Sequence, residues 1–139
     1  MANVSGLLDR FVDLFNSRQF EEAEKDLASG AVIEEVGTGR RLTPQESTAN
    51  ARAWNQAFPD AKGTITNKMI DGNKGAAEIT WRGTNRGSLM GQPPTGKSVT
   101  VRAVVVIDTD GSTITRIAHH IDVAGMMAQL GAMPGAART

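Results

Sequence analysis

The residues best suited to chemistry lie near the C-terminus, in the run 116–122 (RIAHHID). His119 and His120 are the only histidines of the chain, which has no tyrosine and no cysteine. The run resembles a β-strand, in which neighbouring side chains point to opposite faces. His120 and Asp122 therefore share one face, whereas His119 and Ile121 share the other. One imidazole and one carboxylate thus point in the same direction.

Two interpretations of Asp122 follow from this spacing. If its face lines an apolar interior, Asp122 becomes a good proton acceptor near neutral pH, and His120 is its neighbour in acid/base catalysis. Alternatively, Asp122 is the N-cap of a helix that begins at Val123, and His120 is an ordinary, partly buried histidine. The spacing alone does not separate the two interpretations.

A metal centre is not predicted. His120 and Asp122 can supply two ligands from one strand, but a third would have to be an unspecific carboxylate such as Glu34 or Glu35. Because the chain has no cysteine, disulfides, thiolate metal sites and thiol nucleophiles are excluded.

Residues 91–98, GQPPTGKS, match the letters of a nucleotide-binding P-loop. A P-loop must leave a strand and open a helix, whose first N–H groups hold the phosphates. Here residues 99–107 have apolar side chains at every second position, which predicts a strand. Pro93 and Pro94 also lack the N–H donors that such a loop uses. We therefore predict a loop between two strands.

The composition indicates a single domain. The 139 residues contain 15 Lys and Arg against 15 Asp and Glu, so no positive excess attracts nucleic acid or an anionic membrane. No apolar stretch is long enough to cross a bilayer, and charged residues interrupt the N-terminal segment where a signal peptide would be apolar. We expect a cytoplasmic protein with one domain over residues 1–131 and a flexible tail over 132–139.

Helices come first in the predicted order of elements. Thr43 and Glu46 are spaced for a capping box, and Pro44 suits the first position of a helix. A short helical pattern from Phe20 ends at Gly30. The other predicted helices cover 4–15, 44–58 and 123–130, and the predicted strands cover 31–36, 62–70, 75–86, 97–109 and 113–122.

This order predicts the α+β class. Sequential strands with short turns form an antiparallel, strongly curved sheet, and the N-terminal helices must pack on one of its faces. Such a sheet and its helices form a cone with an internal pocket that suits a small molecule. Trp54 and Trp81 can stack on a planar ligand there, although core packing is the more common role of tryptophan.

These residues resemble the SnoaL-like polyketide cyclases of the nuclear-transport-factor-like cone superfamily. The resemblance rests on the order of elements, on residues 57–60 (AFPD), on residues 83–97 with their Gly-x-Pro-Pro-Thr-Gly-Lys run, and on residues 119–122 followed by Gln129-Leu130-Gly131. It covers nearly the whole chain, from the first helix to Gly131. It implies that residues 91–98, which match a P-loop only in their letters, are the family's strand-connecting loop near the pocket.

The resemblance implies a cofactor-free, intramolecular aldol ring closure on a hydrophobic polycyclic or polyketide-like substrate. It places the family's acid/base aspartate at Asp122 and the neighbouring histidine at His120. A methylene between two carbonyls is already acidic, so one aspartate is enough to remove its proton. The residues expected to contact the substrate are Trp54, Phe58, Met69, Trp81 and Asn85.

Relatives commonly pair through the outer face of the sheet. We expect Arg102 and His119 on that face, and therefore a homodimer or homotetramer. The other expected partner is a small hydrophobic or aromatic substrate.

Two other kinds of function stay open on the same fold: a non-catalytic small-molecule-binding protein, and a cofactor-free hydroxylase or isomerase. Ketosteroid isomerase pairs an aspartate base with a tyrosine in its oxyanion hole. This chain has no tyrosine, so it lacks that arrangement.

Overall fold

A computed structural model describes residues 3–131 of the chain, and the predicted flexible tail at 132–139 lies outside these residues. The helices are α1 Val4–Asn16, α2 Phe20–Lys25, α3 Pro44–Ala57 and α4 Val123–Leu130. The strands are β1 Leu27–Glu35, β2 Arg40–Leu42, β3 Lys62–Asp71, β4 Lys74–Thr84, β5 Ser98–Thr109 and β6 Ile114–Ile121. In this part of the chain, no helix has the length and apolar character needed to cross a membrane.

Most predicted elements are confirmed, and the differences lie in the first third of the chain. Helix α2 is shorter than predicted, because β1 already begins at Leu27 and continues through Gly30. Leu27 lies opposite Ile114 of β6, and the Ile114 N–H donates to the carbonyl of Asp26 at 2.8 Å. Pairing with a distant strand thus overrides a weak local helical pattern. The short strand β2 was not predicted.

The start of α3 is confirmed in detail. The Thr43 hydroxyl accepts a hydrogen bond from the Glu46 N–H, and the Glu46 carboxylate accepts one from the Thr43 N–H. Two N–H groups without helical partners are satisfied in this way. The cap fixes where α3 begins and therefore which of its residues reach the sheet.

The strands form one curved sheet in the order β2-β1-β6-β5-β4-β3, which confirms the α+β class. Strands β3 to β6 pair antiparallel in sequence order, as predicted. Strand β1 instead runs parallel to β6, with Ile33 opposite Ile117 and Glu35 opposite His119. This parallel pair, which was not predicted, places two titratable side chains side by side.

Helix α1 covers one face of the sheet, which we call the inner face. Buried α1 residues Leu7, Leu8 and Val12 share one hydrophobic cluster with alternate residues of the strands. The strand residues of this cluster, which define the inner face, include Ile33, Ala77, Ile79, Val105, Ile107 and Ile117. A second cluster joins α3 and α4 to β5 through Ala57, Phe58, Val101 and Met126.

The β4–β5 loop is held by the side chain of Asn85. No helix interrupts it, so the segment 91–98 is a strand-connecting loop, as predicted. Asn85 is 1% exposed, and its Nδ2 donates to the Gly87 carbonyl at 2.8 Å. Its Oδ1 accepts from the N–H of Thr95 at 2.9 Å and from the Thr95 hydroxyl at 3.1 Å. Asn85 is thus engaged within the loop.

Replacement of Asn85 by alanine should lower the free energy of unfolding by about 2 kcal/mol, because buried partners in the loop lose their hydrogen bonds. The matched control is Asn67→Ala on the exposed side of β3, where we expect a change below about 0.5 kcal/mol. Urea unfolding followed by tryptophan fluorescence measures both. Equal losses in the two variants would contradict the role of Asn85 as the clamp of the loop.

Candidate functional site

A partly enclosed cavity of about 160 Å³ lies between the inner face and the N-terminal helices. Its wall is mainly apolar, and Trp54, Phe58 and Trp81 line it, as expected. An engineered apolar cavity of about 150 Å³ in another protein holds one benzene molecule. The enclosed space here therefore corresponds to roughly one ring of a ligand.

His119, and not His120, faces this cavity. In the β5–β6 pair His119 lies opposite Val105, which is fully buried on the inner face. His120 lies opposite Val104 and is exposed. Since opposite residues of an antiparallel pair share a face, His119 points inward and His120 outward. The expected cavity-facing position of His120 is therefore wrong, and so is the expected outward position of His119.

Asp122 caps helix α4 and does not enter the cavity. Its carboxylate accepts a hydrogen bond from the Gly125 N–H at 2.8 Å, and the residue is exposed. A Cβ at Gly125 would approach Asp122 Oδ2 to 2.2 Å, so glycine leaves the room that this cap needs. The expectation that Asp122 looks into the interior is wrong, because the first N–H groups of a helix require an acceptor.

Two other residues expected to contact the substrate lie away from the cavity wall. Met69 is 57% exposed on β3, which is an edge strand of the sheet. Asn85 is occupied in the β4–β5 loop and does not line the cavity. Arg102 is exposed on the outer face, as expected, with its guanidinium 3.6 Å from Glu78.

The main polar feature of the cavity wall is a contact between His119 and Glu35. His119 Nδ1 lies 3.3 Å from Glu35 Oε2, and each side chain is 12% exposed. The other carboxylate oxygen accepts a hydrogen bond from Asn50 Nδ2 at 3.2 Å. The ring of Phe11 packs edge-on against the imidazole, with 5.7 Å between the ring centroids. Both oxygens of this buried carboxylate are therefore satisfied.

This contact assigns the tautomer of neutral His119. A carboxylate oxygen only accepts hydrogen bonds, so Nδ1 carries the proton and Nε2 keeps a free lone pair. His119 Nε2 is buried and has no hydrogen-bond partner among residues 3–131. A buried polar atom without a partner costs about 1–3 kcal/mol. A ligand that offers a proton or a hydrogen bond to Nε2 removes this cost.

Arg40 extends the network behind Glu35. Its Nη1 donates to Asn50 Oδ1 at 3.2 Å, and Arg40 lies opposite Glu35 in the β1–β2 pair. The chain of contacts thus runs from Arg40 through Asn50 and Glu35 to His119. Such a second layer fixes the orientation of the carboxylate that holds the imidazole.

Sequence reasoning considered Glu35 only as a metal ligand and did not place it beside His119. The signal was present, since His119 and Glu35 each follow an inward isoleucine by two residues, Ile117 and Ile33. Asn50 gives no comparable signal, because its contact depends on where α3 packs against β1.

The structure does not bring the residues considered for a metal site together. Glu34 lies next to Glu35 on β1 and bonds Arg116 Nε at 3.0 Å. Across the described range 3–131, no group of three or more His, Asp or Glu side chains is close enough to hold a metal ion. The chemistry available in the cavity is thus that of an imidazole, its carboxylate partner and apolar walls.

A family model described as SnoaL-like polyketide cyclase matches residues 6–130. The chain belongs to the SnoaL-like polyketide cyclase family. No functionally curated protein matches this SnoaL-like sequence. The geometry of its own cavity therefore has to support any reaction that we assign to it.

Solved structures share the fold of this SnoaL-like protein. IdmH from Streptomyces antibioticus, a proposed polyketide cyclase, is 25% identical, with a TM-score of 0.81 over 91% of this chain and 97% of that chain. AclR from Streptomyces galilaeus, a proposed hydroxylase, is 20% identical, with a TM-score of 0.83 over 94% and 82%. A protein from Catenulispora acidiphila with a ketosteroid isomerase-like fold, solved with trimethylamine, is 14% identical, with a TM-score of 0.79 over 91% and 93%.

Removal of the Asp122 side chain should act on stability through the helix cap. We expect Asp122→Ala to lose about 1 kcal/mol of unfolding free energy and Asp122→Asn to lose much less, because asparagine is an equally good N-cap. Urea unfolding of the two variants measures the difference. An alanine variant as stable as the wild type would contradict the capping role.

Proposed function

We propose that this protein is an acid/base enzyme that closes a ring by a cofactor-free, intramolecular aldol reaction, with His119 as the base. The observation that carries the proposal is the buried Glu35–His119 contact on the wall of an apolar cavity. Family membership supports the class of chemistry. The base is reassigned from Asp122 and His120, because both are exposed.

The proposed reaction begins with proton transfer from carbon to His119. The Nε2 lone pair takes a proton from a carbon next to a carbonyl, which leaves an enolate on the substrate and an imidazolium on the enzyme. Glu35 stabilises this imidazolium through Nδ1, as a carboxylate does for a catalytic histidine. Proton removal and its stabilisation are thus divided between two side chains.

Ring closure follows within the same substrate molecule. The enolate carbon attacks a second carbonyl carbon, so that a C–C bond forms and the C=O π electrons move onto oxygen. The resulting alkoxide takes back the proton from His119 Nε2, which regenerates the neutral imidazole and gives a β-hydroxy ketone. No oxidant or reductant enters this balance. A bent substrate brings the two carbons together, and the cavity shape supplies that bend.

The cavity favours a neutral substrate with a large apolar part. The carboxylates of Glu24, Asp26 and Glu35 are among the residues that line it, and Arg82 is the one cation among its described lining residues. Asp26 is paired with Arg10 at 2.7 Å, so the charges of Glu24 and Glu35 remain. An anionic substrate would meet like charges in a medium that screens them poorly. Since the enclosed volume fits about one ring, the rest of a polycyclic substrate would extend through the open side.

Exchange of α-protons for deuterium in β-tetralone, followed by NMR in D₂O, tests the proposed base without knowledge of the natural substrate. We expect the wild type to accelerate exchange, and His119→Ala to lose at least about 100-fold of the enzymatic rate, since a positioned base contributes about 10² to 10⁴. Glu35→Gln should lose activity in the same direction. The measurement needs only a carbon acid that fits the cavity.

His120→Ala is the matched control, because it removes the neighbouring imidazole from the opposite face of the same strand. We expect it to keep the exchange rate within about twofold, and Asp122→Asn to do the same. Loss of exchange in these variants with an active His119→Ala would instead support the original assignment to Asp122 and His120. Binding of β-tetralone without any acceleration by the wild type would indicate a non-catalytic binding protein.

A further inference from the structure

Trp81, which lines the cavity, also carries an unpartnered polar atom. Its indole Nε1 is buried and has no hydrogen-bond partner in the portion of the chain from 3 to 131. An indole N–H is a donor only and does not take up a proton. The unsatisfied donor therefore needs an acceptor. Trp81 and His119 line the same cavity.

The position of the indole is set by Gly63. Gly63 lies directly opposite Trp81 in the β3–β4 pair, and a Cβ at Gly63 would come within 2.6 to 2.9 Å of Trp81 Cζ3, Cε3 and Cη2. These atoms form the edge of the indole farthest from Nε1. The benzene edge thus occupies the space over the glycine, and the N–H edge is turned away from β3, which is an edge strand.

Helix α1 contacts both Gly63 and Trp81 and fixes their positions. Asn16 Nδ2 donates to the Gly63 carbonyl at 2.9 Å, and Asn16 Oδ1 accepts from the Gly63 N–H at 2.8 Å. Phe15 packs edge-on against Trp81 with 5.1 Å between centroids, and Phe11 packs in the same way against His119. Phe11 and Phe15 are about one helical turn apart, or about 6 Å along the axis of α1, so neighbouring turns of this helix contact His119 and Trp81.

We infer that Trp81 is a second catalytic residue, whose indole N–H donates a hydrogen bond to the carbonyl oxygen of the substrate and to the enolate oxygen that forms from it. This inference rests on the proposed function. A fixed donor aimed at developing negative charge stabilises the transition state more than the ground state. Gly63 and Asn16 are positioning residues for the indole. In a chain without tyrosine, this donor takes the part that a phenol can play elsewhere.

The inference specifies the substrate further. A carbonyl oxygen must reach Trp81 while a hydrogen on the adjacent carbon reaches His119 Nε2, so the ligand is a ketone or ester with an enolisable C–H inside the cavity. A hydrocarbon of the same shape satisfies neither atom. The two ligands β-tetralone and tetralin have the same bicyclic frame and differ in the carbonyl group.

The test compares these two ligands in the full-length wild type and in Trp81→Phe, which removes the N–H and keeps an aromatic ring. The infrared C=O stretch of bound β-tetralone should lie at lower frequency in the wild type than in the variant, because the hydrogen bond weakens the carbonyl bond. Affinity for β-tetralone should fall about fivefold, the value of one neutral hydrogen bond. Affinity for tetralin should stay within about twofold, and His120→Ala on the exposed face should change neither the stretch nor the β-tetralone affinity.

A second variant moves the indole and keeps its N–H. Gly63→Ala should shift the C=O stretch in the same direction as Trp81→Phe, because the new Cβ displaces the benzene edge. The matched control is Gly30→Ala on β1, where an added Cβ meets nothing within 4 Å. An unchanged stretch in Trp81→Phe, an equal loss of affinity for both ligands, or no binding of β-tetralone to the wild type would overturn the inference.

These readouts separate the inference from the proposed function. The infrared shift requires binding only, so it should persist in His119→Ala, which lacks the proposed base. Loss of proton exchange in His119→Ala with an unchanged stretch in Trp81→Phe would leave the proposed function standing and refute the donor. The reverse pattern would support the donor and refute His119 as the base.

Discussion

The parallel pairing of β1 with β6 is the constraint on which the rest of the site depends. It places Glu35 directly opposite His119, so that a carboxylate and an imidazole meet on a face made otherwise of apolar side chains. Buried titratable groups are costly unless each polar atom has a partner. Asn50 and His119 satisfy the two carboxylate oxygens, and Nε2 of the histidine is left facing no partner within residues 3–131. Within this pair, the free-energy cost of burying a polar atom without a partner therefore falls on His119 Nε2, the atom that the proposed reaction uses.

Alternation along β6 explains why two adjacent histidines have different roles. A shift of one residue moves every side chain of a strand to the other face. Ile117 and Ile121 lie on the inner face because they pack against β5. His119 lies on the same face because it is two residues from each of them. His120 and Asp122 then fall on the exposed side, where Asp122 meets the first turn of α4. The fold thus uses the conspicuous carboxylate to end a strand and start a helix.

The sequence predicts the fold better than the site, and the reasons are physical. Periods of two and of 3.6 residues locate α1, α3, α4 and the strands β3 to β6, because local burial alone determines them. The β1–β6 pair joins residues 84 to 87 positions apart in the sequence, so no local pattern predicts it. Trp54, Trp81 and Phe58 lie on the cavity wall because large aromatic side chains at inward-facing positions pack into the protein interior. The face of His119 can be predicted from the sequence, because His119 alternates in phase with the apolar residues Ile117 and Ile121. The contact of Asn50 with Glu35 cannot, because it depends on helix packing.

The orientation and tautomer of His119 form the central claim, and nitrogen-15 NMR of the imidazole rings measures them most directly. With only two histidines, the wild type gives two sets of ring signals, and His120→Ala assigns them. In the neutral state we predict a single tautomer for His119, with the proton on Nδ1, and exchange between both tautomers for the exposed His120. Loss of the fixed tautomer in Glu35→Gln would confirm the partner. A wild-type His119 that exchanges between tautomers as freely as His120 would contradict the account.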